Sequence, residues 1–345
     1  MGEDMTESSE AVPTLADVAR TANVSTATVS RCLNSPGQVS AKTHDKVMRA
    51  VDALGYSPNF SARALAARQT KTVGAIIPTM DNAIFARGIQ AFQEELREHG
   101  FTLLIASSAY QEDQEEEQIK TLTARGADGL LLIGYHRDSK IYDFLEKRRV
   151  PVLLAWVFDP NADRIAIGFN NRQAMKELAT EVLAHGHRRL GFISAFTKAN
   201  DRARDRVQGV YDAIKAAGMD ADSVALIETK YSIEYGAEAF RALMAGSDRP
   251  TAVMCGNDVL AVGALRAAIE LGLNVPGDVS ITGFDDIELA SVAPVPLTTI
   301  HVPHRRMGRQ AARMLIDMLA GKTPTKGVEL EVSMCLRETL GPAPG

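Results

Sequence analysis

The chain begins with thirteen residues that have almost nothing to bury, MGEDMTESSEAVP, and changes character at Thr14. Residues 1–13, polar and acidic, are expected to form a disordered tail. Thr14 then reads as an N-cap, with Asp17 in the place of the usual capping-box glutamate, and opens a helix through about Thr21. Asn23 suits the left-handed conformation that ends a helix. Ser25 recaps a second helix running to about Asn34, with Val29 and Leu33 four apart on its inner face. A third helix begins near Ser40, sets Val47, Val51 and Leu54 at helical spacing, and stops at Gly55. Two short helices joined by three or four residues make a helix-turn-helix. The same pattern would also suit a three-helix bundle with no DNA role.

From Thr72 onward the rhythm is different. Short apolar runs alternate with amphipathic helices: VGAII (73–77), FTLLIA (101–106), GLLLIG (129–134), VPVLLA (150–155), RLGFISA (189–195), TAVMCG (251–256) and VSITGF (279–284). Continuous apolar strands separated by helices predict parallel sheets, buried on both faces, with crossover connections. There are too many strands for one compact sheet, so two α/β lobes are expected. The chain therefore reads as an N-terminal all-α headpiece followed by a two-lobed α/β body.

If the second helix enters a DNA major groove by its start, Thr26, Ala27 and Arg31 face base edges. The fork of Arg31 can bond both acceptors of a guanine. Ser25, Thr28 and Asn34 would hold phosphates and fix register. Charge strengthens this reading. The whole chain has a net charge of −5, but Thr14 to Lys71 carries eight basic against three acidic residues, leaving the remainder at −10. A small basic domain on an acidic body can hold phosphates while the body resists nonspecific adhesion.

Other signals exclude more than they add. No apolar run approaches the ~20 residues of a membrane helix, and the acidic start has neither region of a signal peptide, so a cytoplasmic protein without a membrane partner is expected. Cys32, Cys255 and Cys335 are odd in number and without metal spacing, which favours reduced thiols. The acidic run QEDQEEEQ (111–118) reads as the solvated first turn of a helix. His185 and His187 have no third zinc ligand at suitable spacing. With no phosphate loop, GxSxG or triad, neither an enzyme nor a cofactor is expected. A transport binding protein would share the body but has no use for a headpiece.

The residues TLADVARTANVSTATVSRCLN, then VS, then ALGYSPNFSARALAARQTKTVGAIIP closely resemble the headpiece and hinge of the LacI/GalR repressor family, and the resemblance continues to near the C-terminus. It implies a helix-turn-helix domain at 14–58, a hinge helix and linker at 59–71, and an effector-binding and dimerisation body at 72–345. The body would have the periplasmic-binding-protein-like fold, with lobe 1 at about 72–169 and 302–329, lobe 2 at about 170–298 and 330–345, and three crossings near 169, 298 and 329. In that family the segment matching Asn59 through Ala67 becomes helical when a dimer sits on its operator, and a leucine matching Leu65 wedges into the minor groove. Tyr56, Asn59, Ala62 and Leu65 thereby join the DNA contacts. The implied partners are a palindromic operator, a second copy of the chain, and a small-molecule effector. Without a C-terminal leucine heptad tail, a dimer is expected rather than a tetramer.

Ligands of open parallel sheets lie beyond the carboxyl ends of the strands. That rule, with the family match, selects Phe85, Trp156, Phe169, Asn170, Arg206, Tyr231, Asn257 and Asp285. Aromatic faces stack on sugar-like rings, and the polar set bonds hydroxyls or a carboxylate; Phe169 and Trp156 equally suit a plain core role. In KANDRARDRVQG, Arg202 departs from the purine and lactose repressors and resembles the family's gluconate-repressor branch, as does AIGFNN. A second cation near the cleft points to a sugar acid, although Asp201 and Asp205 leave a solvated mixed-charge helix as an alternative. The function expected is a ligand-responsive repressor of a bacterial catabolic operon.

Overall fold

The computed structural model describes residues 12–57, 69–81, 83–322, 324 and 326–345. The chain divides after Thr70 into two compact units. In the first, Thr14 caps α1 (Leu15–Thr21), Ser25 caps α2 (Thr26–Asn34) and Ser40 caps α3 (Ala41–Leu54). Thr14 and Asp17 form the reciprocal capping box, the Thr14 N–H donating to Asp17 Oδ2 at 2.9 Å. Asn23 takes φ +44° between α1 and α2, and Gly55 ends α3 at φ +60°. Val18, Val29 and Val47 are fully buried at the centre of a small core. On α2 that core is met by Val29 and Cys32, with Leu33 only partly buried, because three residues on rather than four lies nearer the middle of this stripe.

The second unit holds two parallel sheets, each covered on both faces by helices. The larger runs β11-β5-β4-β3-β1-β2, built from β1 (Thr72–Ile77), β2 (Thr102–Ser107), β3 (Gly129–Ile133), β4 (Val152–Ala155), β5 (Ala166–Gly168) and β11 (Val328–Glu329). On one face lie α4 (Ala83–Glu98) and α12 (His304–Leu319), and on the other α5 (Glu112–Ala124) and α6 (Ser139–Arg148). The smaller runs β7-β6-β8-β9, from β6 (Leu190–Ala195), β7 (Val224–Thr229), β8 (Ala252–Cys255) and β9 (Ser280–Thr282). It lies between α7 (Asn171–Ala184) with α8 (Asp201–Ala216), and α9 (Ile233–Met244) with α10 (Asp258–Glu270). The short α11 (Glu288–Val292) follows β9. β10 (Thr299–His301) and β12 (Ser333–Cys335) pair antiparallel where the chain passes between sheets.

The seven apolar runs all became strands, but FTLLIA is not buried on both faces. β2 pairs with β1 alone, and as an edge it leaves Ile105 41% exposed. The pattern also missed β7, the opposite kind of edge: its sequence VALIET is polar at one end and only one of its residues is buried. The acidic run opens α5, with Glu112, Asp113 and Glu115 in its first turn. His187 is fully buried and bonded to Thr251, Ser280 and the Gly341 carbonyl, which makes it a clasp on the C-terminal segment. All three cysteines are free thiols. Among the described residues, no helix is long and apolar enough to cross a membrane and no group of side chains is arranged to hold a metal ion.

Candidate DNA-contacting face and ligand cleft

The start of α2 presents Thr26, Ala27 and Arg31 to solvent. Arg31 makes no ion pair or side-chain hydrogen bond among the described residues, so its five donors are uncommitted. The Ser25 hydroxyl is engaged as the cap, accepting from the Thr28 N–H at 3.1 Å, and contacts the Thr28 hydroxyl at 2.9 Å. Asn34 donates to Ser30 at 3.2 Å. Tyr56 packs its half-buried side chain on the domain's core. Asn59, Ala62 and Leu65 lie outside the described residues.

In the body, a narrow, nearly closed cleft lies at the carboxyl ends of the strands. Seven of the residues selected from the sequence line it: Phe85, Trp156, Phe169, Arg202, Arg206, Tyr231 and Asp285. Asn170 and Asn257 do not. Each is the N-cap of the helix that follows its strand, accepting from Gln173 and Leu260 N–H groups at 2.9 Å. A residue just past a strand end is also the residue that opens the next helix, and asparagine serves that position well. Ile84, Tyr110, Asn171 and Asn200 complete the wall and were not anticipated. For Asn171 and Asn200 a signal existed, in the second asparagine of FNN and the cap position of KAND. Tyr110 follows β2 only through a turn in which Ala109 and Tyr110 both take positive φ, +50° and +60°.

Strain gathers here. Trp156 has φ +61° and Asp285 φ +104°, conformations that non-glycine residues adopt only where surrounding structure imposes them. The indole meets Phe85 edge-on with ring centres 5.3 Å apart, and a Cβ added at Gly88 would touch it at 2.6 Å. Trp156 Nε1 donates to His304 Nδ1 at 3.2 Å, which places the proton of the neutral ring on Nε2. That Nε2 lies 4.0 Å from Asp285 Oδ1 and has no hydrogen-bond partner among the described residues, and neither do Asp285 Oδ2 and Asn171 Oδ1. Tyr110 and Tyr231 face each other from the two lobes at 5.8 Å.

Burial pushes the Asp285 carboxyl up to about 7, against the opposing pull of the Arg206 and Arg202 cations. Burial pushes His304 down to about 4, although the Asp285 carbonyl works the other way. Nearby Asp258, bonded to Thr299 and the Ile287 N–H, is raised well above the usual carboxylate range by burial and by Asp285. The two arginines differ in what they hold. Arg202 is paired with Asp201 at 2.8 Å and donates to the Ile133 carbonyl at 3.2 Å. Arg206 has no carboxylate within ion-pair distance among the described residues. It donates to the Gly256 carbonyl at 2.5 Å and the Arg202 carbonyl at 3.3 Å, with its plane 4.6 Å from the Phe284 ring centre.

Comparison with known proteins gives a consistent result. Residues 14–59 match the family described as bacterial regulatory proteins, lacI family, and residues 179–340 match the periplasmic binding protein-like domain. The chain is 33% identical to the HTH-type transcriptional repressor PurR of Vibrio vulnificus, covering 95% of this chain and 98% of that protein. It is 34% identical to the ribose operon repressor of Haemophilus influenzae, with the same coverage. The crystal structure of the lac repressor dimer bound to operator and the anti-inducer ONPF superposes with a TM-score of 0.84 at 27% identity, covering 95% of this chain and 99% of that one.

Proposed function

This chain belongs to the lacI family of bacterial regulatory proteins and is a DNA-binding transcriptional repressor regulated by a small molecule; on that premise we propose that it acts as a homodimer on the palindromic operator of a catabolic operon, with a sugar acid of gluconate type as effector. The observation that carries the effector reading is Arg206, a residue only 7% exposed in the cleft wall with no carboxylate paired to it among the described residues. A buried cation is costly without an anion beside it, and a ligand carboxylate supplies one. Hydroxyls on the same ligand reach Asp285 Oδ2 and Asn171 Oδ1, which have no partner among the described residues, while Phe85, Trp156, Phe169 and Tyr231 take its apolar faces. Arg202 is a weaker argument for an acid than its position suggests, because Asp201 already neutralises it.

In this reading residues 14–58 bind the operator through α2, with Arg31 on a base edge and Ser25, Thr28 and Asn34 on phosphates. Residues 59–71, with Leu65 as the wedge, couple that contact to the body, whose lobes are 72–169 with 302–329 and 170–298 with 330–345. Ligand in the cleft stabilises one arrangement of the lobes, and operator affinity changes by linkage.

The test is a panel of sugar acids, neutral sugars and purine bases, scored for thermal stabilisation and then for a change in operator binding. Sugar acids are expected to stabilise the protein and Arg206→Ala to abolish the effect. Stabilisation by neutral sugars or purines alone would overturn the acid assignment. For the operator, Arg31→Ala is expected to cost about 1–3 kcal/mol at one base pair and to leave ligand stabilisation intact; unchanged selection among operator variants defeats that role.

A further inference from the structure

Asp201 and Arg202 open α8 in lobe 2, yet both side chains are bound to lobe 1. Asp201 Oδ2 accepts the backbone N–H of Tyr135 at 2.5 Å and that of His136 at 3.1 Å. Arg202 Nη1 donates to the Ile133 carbonyl at 3.2 Å and, at 2.8 Å, to Asp201 Oδ1. Ile133 ends β3, which lies inside its sheet between β1 and β4, so the pair is seated at the middle of the sheet's carboxyl edge. Each residue is 6% exposed.

Two further observations show that this seat is built. Gly134 has φ +83°, and a Cβ there would lie 2.1 Å from Arg202 Nη1 and 2.5 Å from Asp201 Oδ1. The sequence thus leaves room at the one position where a side chain would expel the pair. Burial alone would raise the Asp201 carboxyl, yet Arg202 and the two N–H groups hold it below its usual range. It is therefore a charged acceptor, which makes the stronger kind of hydrogen bond. Arg87 and Glu288 form an ion pair that does run between the lobes, but it is largely exposed and contributes little.

We propose that Asp201 and Arg202 form a latch that docks lobe 2 on the end of β3, holds the lobes together without help from a ligand, and so sets how much of the effector's binding energy closure consumes. All four contacts are made by the protein's own atoms, and the three that cross to lobe 1 exist only while the lobes are together. A receptor whose competent form is fully populated binds at its intrinsic affinity; loss of the latch weakens apparent affinity by the fraction of closed protein lost. The role is one of positioning, since it acts through lobe geometry and through the Arg202 carbonyl that orients Arg206.

The chain carries a single tryptophan, Trp156, and it lies in the cavity wall 3% exposed. Acrylamide quenching of its fluorescence in the ligand-free dimer reads the latch directly. Asp201→Ala is expected to raise the quenching constant about threefold or more and to shift emission to the red, with circular dichroism unchanged; scattering should show a larger radius of gyration. Asp201→Asn keeps the shape and one acceptor but leaves Arg202 unneutralised, so an intermediate rise is expected, and this variant decides the matter if the alanine protein does not fold. Wild-type quenching in both variants overturns the proposal. Because no effector is used, that failure would leave the sugar-acid reading where it stands.

Discussion

Among the described residues of the headpiece, every side-chain hydrogen bond closes within four residues, from the Thr14–Asp17 box to the Arg49 bond on the Asp45 carbonyl. The cleft is joined across far longer stretches: 15 residues from Asn171 to Trp156, 50 from Arg206 to Gly256 and 148 from Trp156 to His304. A DNA-reading helix needs only to be formed and to show an exposed face, which local caps and a small core supply. A ligand cavity needs polar groups kept dry, unpaired and convergent, and those cost stability unless the rest of the body enforces them. Substitutions in the headpiece should therefore act locally and mildly, whereas those in the body should spread.

The largest expected contrast uses two glycines. Gly308 lies where α12 crosses α4, and a Cβ there would meet the Gly88 carbonyl at 1.9 Å. Gly308→Ala must push these packed helices away from each other and is expected to cost more than about 3 kcal/mol, read as a lower urea midpoint of the body. Gly37, in the turn between α2 and α3, has nothing within 4 Å of the same added atom. Gly37→Ala should stay within about 1 kcal/mol of wild type. Equal losses would erase the distinction between the regions.

A second contrast lies inside the cleft and is read by pH. Asp285 titrates in the folded protein near 7, above an unfolded carboxylate, so its contribution is full below about 4 and is lost as pH rises through 7. His304 titrates near 4, below an unfolded histidine at about 6.5, so its contribution is present above 6.5 and is lost as pH falls through 4. The two slopes oppose each other between about pH 4 and 6.5, with Asp258 adding to the slope of Asp285. Asp285→Asn should therefore lessen any fall of stability with rising pH over that window, and His304→Gln should steepen it, each by on the order of 2 kcal/mol. Thermal melts of both variants from pH 4 to 8 check this; parallel curves for the two would show that these groups are not the source.

The same division decided what could be read from the chain alone. Caps, helix ends and the seven apolar runs are local patterns, and they placed the headpiece and most of both sheets. Strands with mixed sequences, such as VALIET, carry no comparable periodicity. In the cleft, strand-end logic found Trp156, Arg206 and Asp285, but it could not separate Asn171, which lines the cavity, from Asn170, which caps a helix one residue earlier. His304 was invisible for a different reason. Its importance comes from Trp156 and Asp285, brought to it by two crossings of the chain, and HVPHRR contains no trace of either. Nor could the sequence decide what each arginine holds: Asp201 claims Arg202, whereas Arg206 has no carboxylate within ion-pair distance among the described residues.

The smallest expected effect bears on whether the headpiece is as local as its bonds imply. Thr14→Ala removes the hydroxyl that accepts from the Asp17 N–H and that donates to Asp17 Oδ2 at 2.6 Å, while the Thr14 backbone N–H can still donate to that carboxylate. Half of the capping box survives, so the loss should be about 1 kcal/mol, typical of an N-cap replacement. The Thr14 hydroxyl is the main influence holding the exposed Asp17 carboxyl below its usual range, and its pKa should move back toward the ordinary value. Amide exchange should quicken at the start of α1 and across the headpiece core, which α1 shares through Val18, and stop there. If exchange also quickened in β1 or β3, or if the loss exceeded about 3 kcal/mol, the cap would be supporting more than its own domain.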